Sequence, residues 1–361
     1  MYPDADETQG PAHSAIVTPA RFSPRTNSAL YTSVEDEYAA IAARVGLVDR
    51  SYLSKLKLTG RDVIELLQRL STNDLTDLRP GMSCHTVLTT EKGRVIDVVT
   101  LYCTADASVI LLCHAPARTV QDWIQKFIIM EDVTIANQTS DYTLYSLFGP
   151  GLEDLVPLTD WAPRSPWRLA QVIETRKEGI DTIIGKAETV CQGGVNILSS
   201  TSQGELIWKM LLEAGAIGRL MPCGSESLEI HRVEHGLPMY GRELTQDVNP
   251  LEAGLDGYVS FTKGCYIGQE VIARLDTYKK LQRKLIGLVL SGQRSIPTFT
   301  RVKVRNEDVG WVTSVVNSIH LGKTVALAYI RSAWAVQGTL VHVALESGEV
   351  EAEVVELPFR K

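Results

Sequence analysis

From residue 283 to the C-terminus the chain reads as a series of short strands separated by turns, and no other feature restricts the possible fold as strongly. Polar turn segments such as RNED and ESGE lie between the strand-like segments, which are KLIGLVL, RVKVR, GWVTSVV, TVALAYI, TLVHVAL and VEAEVVEL. Short strands at this spacing are typical of a small antiparallel barrel. The sequence therefore predicts a C-terminal β-barrel domain over residues 283–361.

Residues 36–282 mix helix and strand patterns without a regular repeat. Apolar residues between Val63 and Leu70 recur at helical spacing. The strand segments SCHTVLTT and RVIDVVTLYC are joined by EKG, whose glycine suits a hairpin turn. This irregular alternation predicts an α+β region rather than a doubly wound sheet. Residues 1–35 contain four prolines and little periodic apolar character, which predicts a flexible tail.

Composition and charge restrict the classes of function. A net charge of −7 does not supply the excess of Lys and Arg that a broad nucleic-acid or anionic-membrane surface needs. No apolar run approaches the roughly 20 residues of a membrane helix, and the N-terminal segment fits neither a secretory signal nor a transit peptide. The six cysteines contain no Cys-x-x-Cys pair, so we expect reduced thiols and a cytoplasmic protein.

The segment TKGCYIGQEVIAR, residues 262–274, places a cysteine between two glycines and before a short amphipathic run. We expect Cys265 to precede a helix N-terminus, with Lys263 two residues away, and both features stabilise a thiolate. Cys265 is therefore a candidate catalytic residue. The alternative is that it packs as a small buried apolar side chain, as most free cysteines do.

The segment HRVEHG, residues 231–236, resembles the H-x-x-E-H pattern of inverted zinc peptidases. The pattern is short, and no downstream helix offers a third ligand, so we predict no metal site. Glu234 falls in the last turn of its predicted helix, where a carboxylate faces the negative end of the helix dipole. This placement indicates a positive or hydrogen-donating partner, unless Glu234 is a solvated surface residue.

Asp97 interrupts the apolar run VIDVVTL and shares one face of an extended strand with Val95, Val99 and Leu101. A carboxylate there must find donors or shift its pKa upward, which makes Asp97 a candidate general base. It could equally mark the solvent side of the strand. The basic run from Arg274 to Lys284, which includes Arg283, could hold a small polyanion or a carboxylated tail, or could be a solvated linker.

Two family resemblances follow from these segments. KGCYIGQE, residues 263–270, resembles the signature of the YgfZ-type folate-binding proteins, a family that includes a mitochondrial iron–sulfur maturation factor. From about residue 36 to 361 the chain resembles the related glycine-cleavage T-protein, through GLVDRS, LLQRLSTNDLTDLRPG, HRVEHGLPMYGREL and NPLEAGL. The resemblance implies a ring of three subdomains around a central cleft that holds tetrahydrofolate, the last subdomain being a small antiparallel β-barrel.

The resemblance also implies roles for single residues. Glu234 matches the T-protein glutamate that hydrogen-bonds the pterin ring, and Tyr240 matches a tyrosine that lines the same cleft. Cys265 aligns with the YgfZ-type cysteine, which T-proteins lack. Lys263 of the same signature, and Arg274 and Arg283 of the basic run, are further candidate cofactor contacts.

Two positions depart from the T-protein pattern. T-proteins carry two adjacent aspartates in the hairpin, the second associated with catalysis, where this chain reads Asp97-Val98. Because side chains alternate along a strand, Asp97 should face away from the position of the missing carboxylate, unless a bulge resets the register. His114 replaces an asparagine and remains a candidate cofactor contact. Both changes weaken the expectation of aminomethyl transfer.

Three functions are compatible with these features. The leading hypothesis is a tetrahydrofolate-binding accessory protein of YgfZ type, which uses Cys265 to support iron–sulfur protein assembly or repair and has iron–sulfur client or assembly proteins as partners. The alternative is a tetrahydrofolate-dependent aminomethyltransferase or demethylase like the T-protein. A third hypothesis, folate sensing or storage, predicts binding with an inert Cys265.

Overall fold

The computed structural model describes residues 28–152, 171–177, 179–187, 194–215, 220–278, 281–292 and 295–360. The α-helices within these ranges are α1 (Val34–Ala43), α2 (Val63–Leu70), α3 (Ala117–Gln125), α4 (Gly204–Ala214), α5 (Ser225–Glu234) and α6 (Gln269–Tyr278). Of the predicted tail, residues 1–27 lie outside the described ranges. Helix α1 begins just before the expected end of the tail.

The strands of the same ranges form three sheets, and the predicted α+β class is confirmed. In chain order the strands are β1 (Val45–Asp49), β2 (Ser54–Thr59), β3 (Met82–Thr89), β4 (Val95–Cys103), β5 (Val109–Cys113), β6 (Thr134–Asn137), β7 (Tyr142–Phe148), β8 (Val172–Lys177), β9 (Ile180–Lys186), β10 (Gly194–Ser200), β11 (Leu220–Pro222), β12 (Arg283–Leu290), β13 (Arg301–Val304), β14 (Glu307–Ser318), β15 (Lys323–Arg331), β16 (Leu340–Leu345) and β17 (Gly348–Val355).

The first sheet has the order β11-β1-β7-β10-β9-β8, in which β11 runs parallel to β1 and the remaining pairs are antiparallel. Helix α4 covers one face, because its Ile207, Trp208 and Leu211 form one apolar stripe that is buried against Leu47 and Ile197 of the sheet. This packing forms the core of the first subdomain.

The second sheet has the order β3-β4-β5-β2-β6 and carries α2 and α3 on one face. The predicted stripe from Val63 to Leu70 is confirmed, since the apolar residues of this face of α2 are at most 2% exposed. The predicted hairpin is also present: Gly93 takes a φ of +66° in the turn between β3 and β4, a conformation that L side chains rarely adopt.

The third sheet closes into an antiparallel barrel with the order β12-β15-β14-β13-β16-β17, and β17 pairs with β12. The predicted C-terminal barrel is therefore confirmed. Val, Ile, Leu and Ala side chains fill its interior. Buried and exposed residues alternate on β17, whereas β15 is buried from Thr324 to Ile330.

The second sheet and the barrel share a core of their own. Val87, Val95 and Val98 of the β3–β4 hairpin pack with Leu244 and with Tyr329 of β15, whose hydroxyl donates to the backbone carbonyl of Glu243 at 2.9 Å. The subdomains are thus joined by buried apolar contacts and not only by linkers. In the described part of the chain, no helix has the length and apolar character needed to span a bilayer.

Candidate functional site

A cleft of about 1390 Å³ lies where the three sheets meet. Its walls come from the ends of β1, β4 and β5, from α5 and the segment after it, and from the barrel and the segment after β17. The lining residues include Arg50, Tyr52, Val98, His114, Glu229, Arg232, His235, Tyr240, Arg242, Leu255, Tyr258, Lys284 and Leu357. Of the residues selected from the sequence, His114 and Tyr240 line this cleft.

Strands β4 and β5 build the wall that carries Val98 and His114. Their register pairs Val99 with Cys113, and the next residue of each segment, Val98 and His114, lines the cleft. Asp97 lies on the other face, is fully buried and does not line the cleft. The cleft wall therefore carries an apolar side chain at the position where the T-protein resemblance places a carboxylate.

A β-bulge determines which side chains of this hairpin lie on the same face. The register of β3 and β4 shifts between Leu88 and Thr89, and Val95 consequently packs in the cluster of Val98 instead of the helix-covered core of Val99. The expectation that Val95 and Asp97 share a face is therefore wrong. The bulge lies on the N-terminal side of Asp97, so it does not turn this carboxylate toward the cleft.

The Asp97 carboxylate binds the backbone. Oδ1 accepts from the N–H of Val98 at 2.9 Å, and Oδ2 accepts from the N–H groups of His114 and Ala115 at 2.8 and 2.9 Å. The candidate catalytic role of Asp97 is corrected, because its oxygens are directed at the main chain of the β5 turn. Asp97 fixes the backbone position from which His114 enters the cleft.

Helix α5 contributes charged residues to the cleft wall, and these were not predicted as site residues from the sequence. Glu229 Oε1 accepts from Arg232 at 2.7 Å and from Arg242 at 2.6 Å. Burial alone would raise the pKa of Glu229, but the two guanidinium groups outweigh it and hold the pKa below its usual range. Arg232 also donates to Glu243 at 3.1 Å and to Ser314 Oγ at 2.7 Å. The i, i+3 spacing of Glu229 and Arg232 was the signal in the sequence.

Tyr240 lies on the segment that follows α5. Burial, and then the negative charge of Asp97, raises the pKa of Tyr240, so its phenol stays protonated at neutral pH. The chain reaches this position through Gly236, whose φ is +68° and whose Cβ, if present, would lie 2.7 Å from Leu357 Cβ. Glycine is therefore required where α5 passes under the C-terminal segment.

The turn after β1 brings Arg50 and Tyr52 to the cleft. Asp49 Oδ1 accepts from the N–H of Ser51 at 2.9 Å, and the fully buried Lys55 donates its Nζ to the carbonyl of Ser51 at 2.6 Å. Burial lowers the pKa of Lys55 to about 8, with Asp49 acting in the opposite direction. The segment VDRSY directly follows a buried strand, and that position was the available signal for these two residues.

Glu234 is placed elsewhere than expected. Its side chain is fully buried and does not line the cleft. Oε1 accepts from Ser318 Oγ at 2.6 Å and from the N–H of His320 at 3.1 Å, and Oε2 accepts from the Tyr38 hydroxyl. The predicted hydrogen-donating partner of Glu234 thus exists, but it belongs to the protein, and the proposed pterin contact is corrected accordingly.

Lys263 likewise serves the fold. Its Nζ donates to the carbonyls of Gln68, Ser71 and Asn73 at 2.7, 2.9 and 2.6 Å, which caps the C-terminus of α2. Burial lowers the pKa of Lys263 to about 8. Three carbonyl acceptors use the three donors of the ammonium group, so none of its N–H groups is left to bind a cofactor.

Cys265 is exposed and is not a lining residue of the cleft. Helix α6 begins only at Gln269, four positions further on, so the expected place directly before a helix N-terminus is corrected. The alternative of a buried packing residue is also wrong, because the side chain is solvent-exposed.

The two arginines of the basic run do not reach the cleft either. Arg274 is 68% exposed and pairs with Glu270 one turn earlier on α6, at 2.9 Å. Arg283 lies 3.4 Å from Glu252 and stacks over the Trp311 ring at 4.9 Å, which ties β12 to the segment before it. Among the described residues, the partners of Arg283 thus belong to the fold, and Arg274 forms an ion pair that is exposed to solvent.

The histidine pair of the HRVEHG segment is stacked. The His231 and His235 rings lie 4.2 Å apart with an interplanar angle of 9°, and His235 Nδ1 is 2.8 Å from the carbonyl of His231. Burial lowers the pKa of His231 to about 3. Across the described ranges, no group of three His, Cys, Asp or Glu side chains is arranged to hold a metal ion.

Comparisons with known proteins agree with this architecture. Residues 12–263 match the family model of the GCVT N-terminal domain, and residues 283–361 match that of the glycine cleavage T-protein C-terminal barrel domain. An aminomethyltransferase of Bacillus subtilis is 31% identical over 336 residues, which cover 92% of this chain and 92% of the relative. One of Halalkalibacterium halodurans is 28% identical over 334 residues, with 92% and 91% covered.

A solved structure gives the same fold. The crystal structure of the glycine cleavage system aminomethyltransferase T from Bartonella henselae superimposes with a TM-score of 0.79 at 22% identity, over 91% of this chain and 89% of that chain. The family matches and the level of identity lead to one conclusion. The chain belongs to the glycine-cleavage T-protein family, GCVT.

Proposed function

We propose that this protein binds tetrahydrofolate in the cleft and transfers a one-carbon unit between an amine donor and the folate, as an aminomethyltransferase. The single observation that carries the proposal is a cleft of about 1390 Å³ at the junction of three subdomains, in a chain aligned over 92% of its length with aminomethyltransferases. Members of this family use tetrahydrofolate, the cofactor named from the sequence. We place the protein in the cytoplasm.

The lining of the cleft suits the parts of a reduced folate. Tyr52, Tyr240 and Tyr258 offer aromatic faces for a flat bicyclic ring. Arg242, with a side chain 37% exposed, and the exposed Lys284 offer cations for the carboxylates of a glutamate tail. Binding both reactants in one cleft replaces a bimolecular encounter by a positioned one, which lowers the entropic part of the barrier.

Calorimetric titration with tetrahydrofolate tests the binding. We expect Tyr240→Ala to raise the dissociation constant about tenfold, a loss of about 1.4 kcal/mol of binding free energy. Tyr240→Phe should retain most of the affinity because the ring remains. Tyr278→Ala, a change on the exposed face of α6, is the matched control and should bind like the wild type. Absence of binding at millimolar folate contradicts the proposal.

An assay with a lipoylated carrier, an aminomethyl donor derived from glycine, and tetrahydrofolate tests the transfer. The proposal predicts methylene-tetrahydrofolate as the product. Val98→Asp places a carboxylate on the cleft wall that also carries His114. If the wild type transfers, the natural wall supports the reaction. If the transfer rate is measurable only in Val98→Asp, the natural wall does not support it.

A second function is favoured by two observations: the apolar Val98 on the cleft wall and the exposed thiol of Cys265. In this second proposal the protein is a folate-binding accessory factor of YgfZ type that supports iron–sulfur protein assembly or repair. A single cysteine cannot hold a cluster alone, so this role needs a client or assembly protein as partner.

Complementation of an iron–sulfur maturation defect tests the second function. Cys265→Ala should abolish complementation and leave the tetrahydrofolate affinity unchanged, since Cys265 lies outside the cleft lining. Cys84→Ala is the control, because burial raises the pKa of Cys84 to about 11 and makes its thiol unreactive. Full complementation by the Cys265 variant rules out a role for this thiol.

A further inference from the structure

We propose that His114 is the proton-transfer group of the cleft and that Asp97 is its positioning residue. The inference rests on the proposed transferase function and adds to it the residue that moves the proton. It starts from the wall built by β4 and β5, where Val98 of β4 and His114, the residue that follows β5, both line the cleft. The side chain of Val98 cannot exchange a proton, whereas the imidazole can.

The main chain at His114 is held more firmly than a loop residue normally is. The buried Asp97 carboxylate accepts the N–H groups of His114 and Ala115 at 2.8 and 2.9 Å. Ser54 lies on β2, the neighbour of β5 in the sheet, and its Oγ donates to the carbonyl of Ala115 at 2.9 Å. Hydrogen bonds to an ionised acceptor are among the strong ones, so the turn after β5 presents its imidazole from a fixed backbone.

Two other titratable groups of the cleft are less suited to exchange a proton near pH 7. Glu229 is held ionised by Arg232 and Arg242, and Tyr240 keeps its proton because its pKa is raised. An imidazole has an unperturbed pKa of about 6.5, which suits both uptake and release of a proton. His235, the other histidine of the lining, is the rival for this role.

The step itself balances without any redox change. The lone pair of folate N5 forms a bond to the methylene carbon of the donor, and the bond from that carbon to the amine nitrogen breaks with its electron pair on nitrogen. The neutral imidazole of His114 takes the proton from N5 and delivers it to this nitrogen, which leaves as ammonia. Ring closure follows in the same way: the lone pair of N10 forms a bond to the methylene carbon, the bond from that carbon to the carrier sulfur breaks with its electron pair on sulfur, and His114 passes the N10 proton to the thiolate. No electron acceptor is needed, and His114 ends the cycle in its initial state.

The sign of the pH dependence follows from this role. A protonated imidazole cannot accept the N5 proton, so kcat/KM should fall on the acid side of the profile as His114 takes up a proton. Asp97 of β4 accepts the N–H of His114, and Tyr240 and Arg50 line the same cleft. Burial and the charge of Asp97 raise the pKa of Tyr240, so its phenol keeps its proton across the acid limb.

The experiment combines kinetics and NMR on the full chain. We expect His114→Gln to lower the transfer rate about 100-fold or more and to remove the acid limb of the pH profile, with the tetrahydrofolate dissociation constant within threefold of the wild type. In protein labelled with ¹⁵N-histidine, the ring signals absent from this variant identify His114 and should shift on saturation with tetrahydrofolate. His342→Gln, on barrel strand β16, is the matched control.

The second variant separates positioning from chemistry. Asp97→Asn should lower the rate about tenfold but keep the acid limb, because the imidazole is still present. Transfer by His114→Gln at the wild-type rate, unmoved His114 signals, or loss of the acid limb in His235→Gln instead overturns the inference while the proposed function stands. Failure of the wild type to bind folate or to transfer overturns both.

Discussion

At the residue scale, Lys263 illustrates how a residue of a recognisable segment can serve the fold. The lysine belongs to the segment whose resemblance indicated a folate site, and yet its ammonium group closes the end of α2 through the carbonyls of Gln68, Ser71 and Asn73. A helix end that is buried needs such a partner. The chain before Cys265 is therefore held in place by a lysine whose three donors are used at the end of α2.

Replacement of this lysine should cost stability and not affinity. Lys263→Met leaves three buried carbonyls without donors, and we expect the free energy of unfolding to fall by about 2 to 3 kcal/mol. Urea denaturation followed by circular dichroism gives this value. Lys209→Met, which breaks an exposed pair with Glu205 on α4, is the control and should change stability by less than about 0.5 kcal/mol. Equal effects of the two variants contradict the capping role.

A second prediction at this scale concerns His231. Burial lowers its pKa to about 3 in the folded state, whereas the unfolded chain titrates near 6.5. The unfolded state therefore binds more protons between these values, and the stability contributed by the neutral imidazole is complete above pH 6.5 and lost as the pH falls toward 3. From pH 7 to pH 5 the wild type should lose about 2 kcal/mol more than His231→Gln.

Denaturant titrations at pH 7 and pH 5 measure this difference. His342→Gln, in which the partly exposed histidine of β16 is replaced, should keep the full wild-type loss between the two pH values. An identical loss in the wild type and in His231→Gln would mean that His231 is not the group responsible.

At the scale of elements, α5 is the piece that joins the subdomains, and Glu234 at its last position makes the connection. The Glu234 side chain binds Tyr38 of α1 and Ser318 of β14, while its carbonyl accepts from the N–H groups of Phe359 and Arg360. One residue thus holds two helices, the barrel and the C-terminal segment. Movement of α5 would displace the cleft wall that carries Glu229 and Arg232.

A double-mutant cycle should reveal this connection. Tyr38→Phe and Glu234→Gln are each expected to destabilise the protein, and their effects should be coupled by about 1 to 2 kcal/mol because the two groups share one hydrogen bond. The matched cycle combines Tyr38→Phe with Glu205→Gln on the exposed face of α4, where the effects should add. Additivity in the first cycle would remove the proposed link between α1 and α5.

The elements themselves were largely predictable from sequence. The stripe of α2, the glycine turn at Gly93 and the barrel strands all follow from local periodicity, which requires only neighbouring residues. Apolar residues recur at helical spacing from Val120 to Ile128, but α3 ends at Gln125, and Phe127 and Ile128 pack against the core from the segment after it. Local patterns do not fix where a helix ends, because tertiary contacts also act there.

The site was less predictable, and the reason is sequence separation. His114 and Tyr240 were selected from the family resemblance, and both line the cleft. The roles of Glu234 and Lys263 depended on partners such as Ser318 and Gln68, which lie 84 and 195 positions away. No local pattern carries that information, and the resemblance alone assigned both residues to the ligand.

At the scale of the whole molecule, the barrel and the second sheet are expected to unfold together. Their shared cluster contains the fully buried Tyr329, which packs with Val98 and Leu244 and donates to Glu243. Tyr329→Ala should cost about 3 to 5 kcal/mol and separate the calorimetric transition into two, because it removes the ring from the interface as well as from β15. The wild type should show one transition with equal calorimetric and van't Hoff enthalpies.

An exposed tyrosine provides the control for this experiment. Tyr278→Ala changes a side chain that is 64% exposed on α6 and should leave a single transition. Two transitions already in the wild type would show that the barrel is an independent folding unit, contrary to the expectation from the shared cluster.

The segment Glu356–Pro358, which lines the cleft after the last barrel strand, links the site to the direction of translation. A ribosome delivers β4, β5 and α5 long before this segment, so a nascent chain holds only part of the enclosure. A small molecule that binds only the native state stabilises it through mass action. Stabilisation by a ligand bound in the complete cleft can begin only after the barrel has emerged. The earlier subdomains therefore fold before this stabilisation is available.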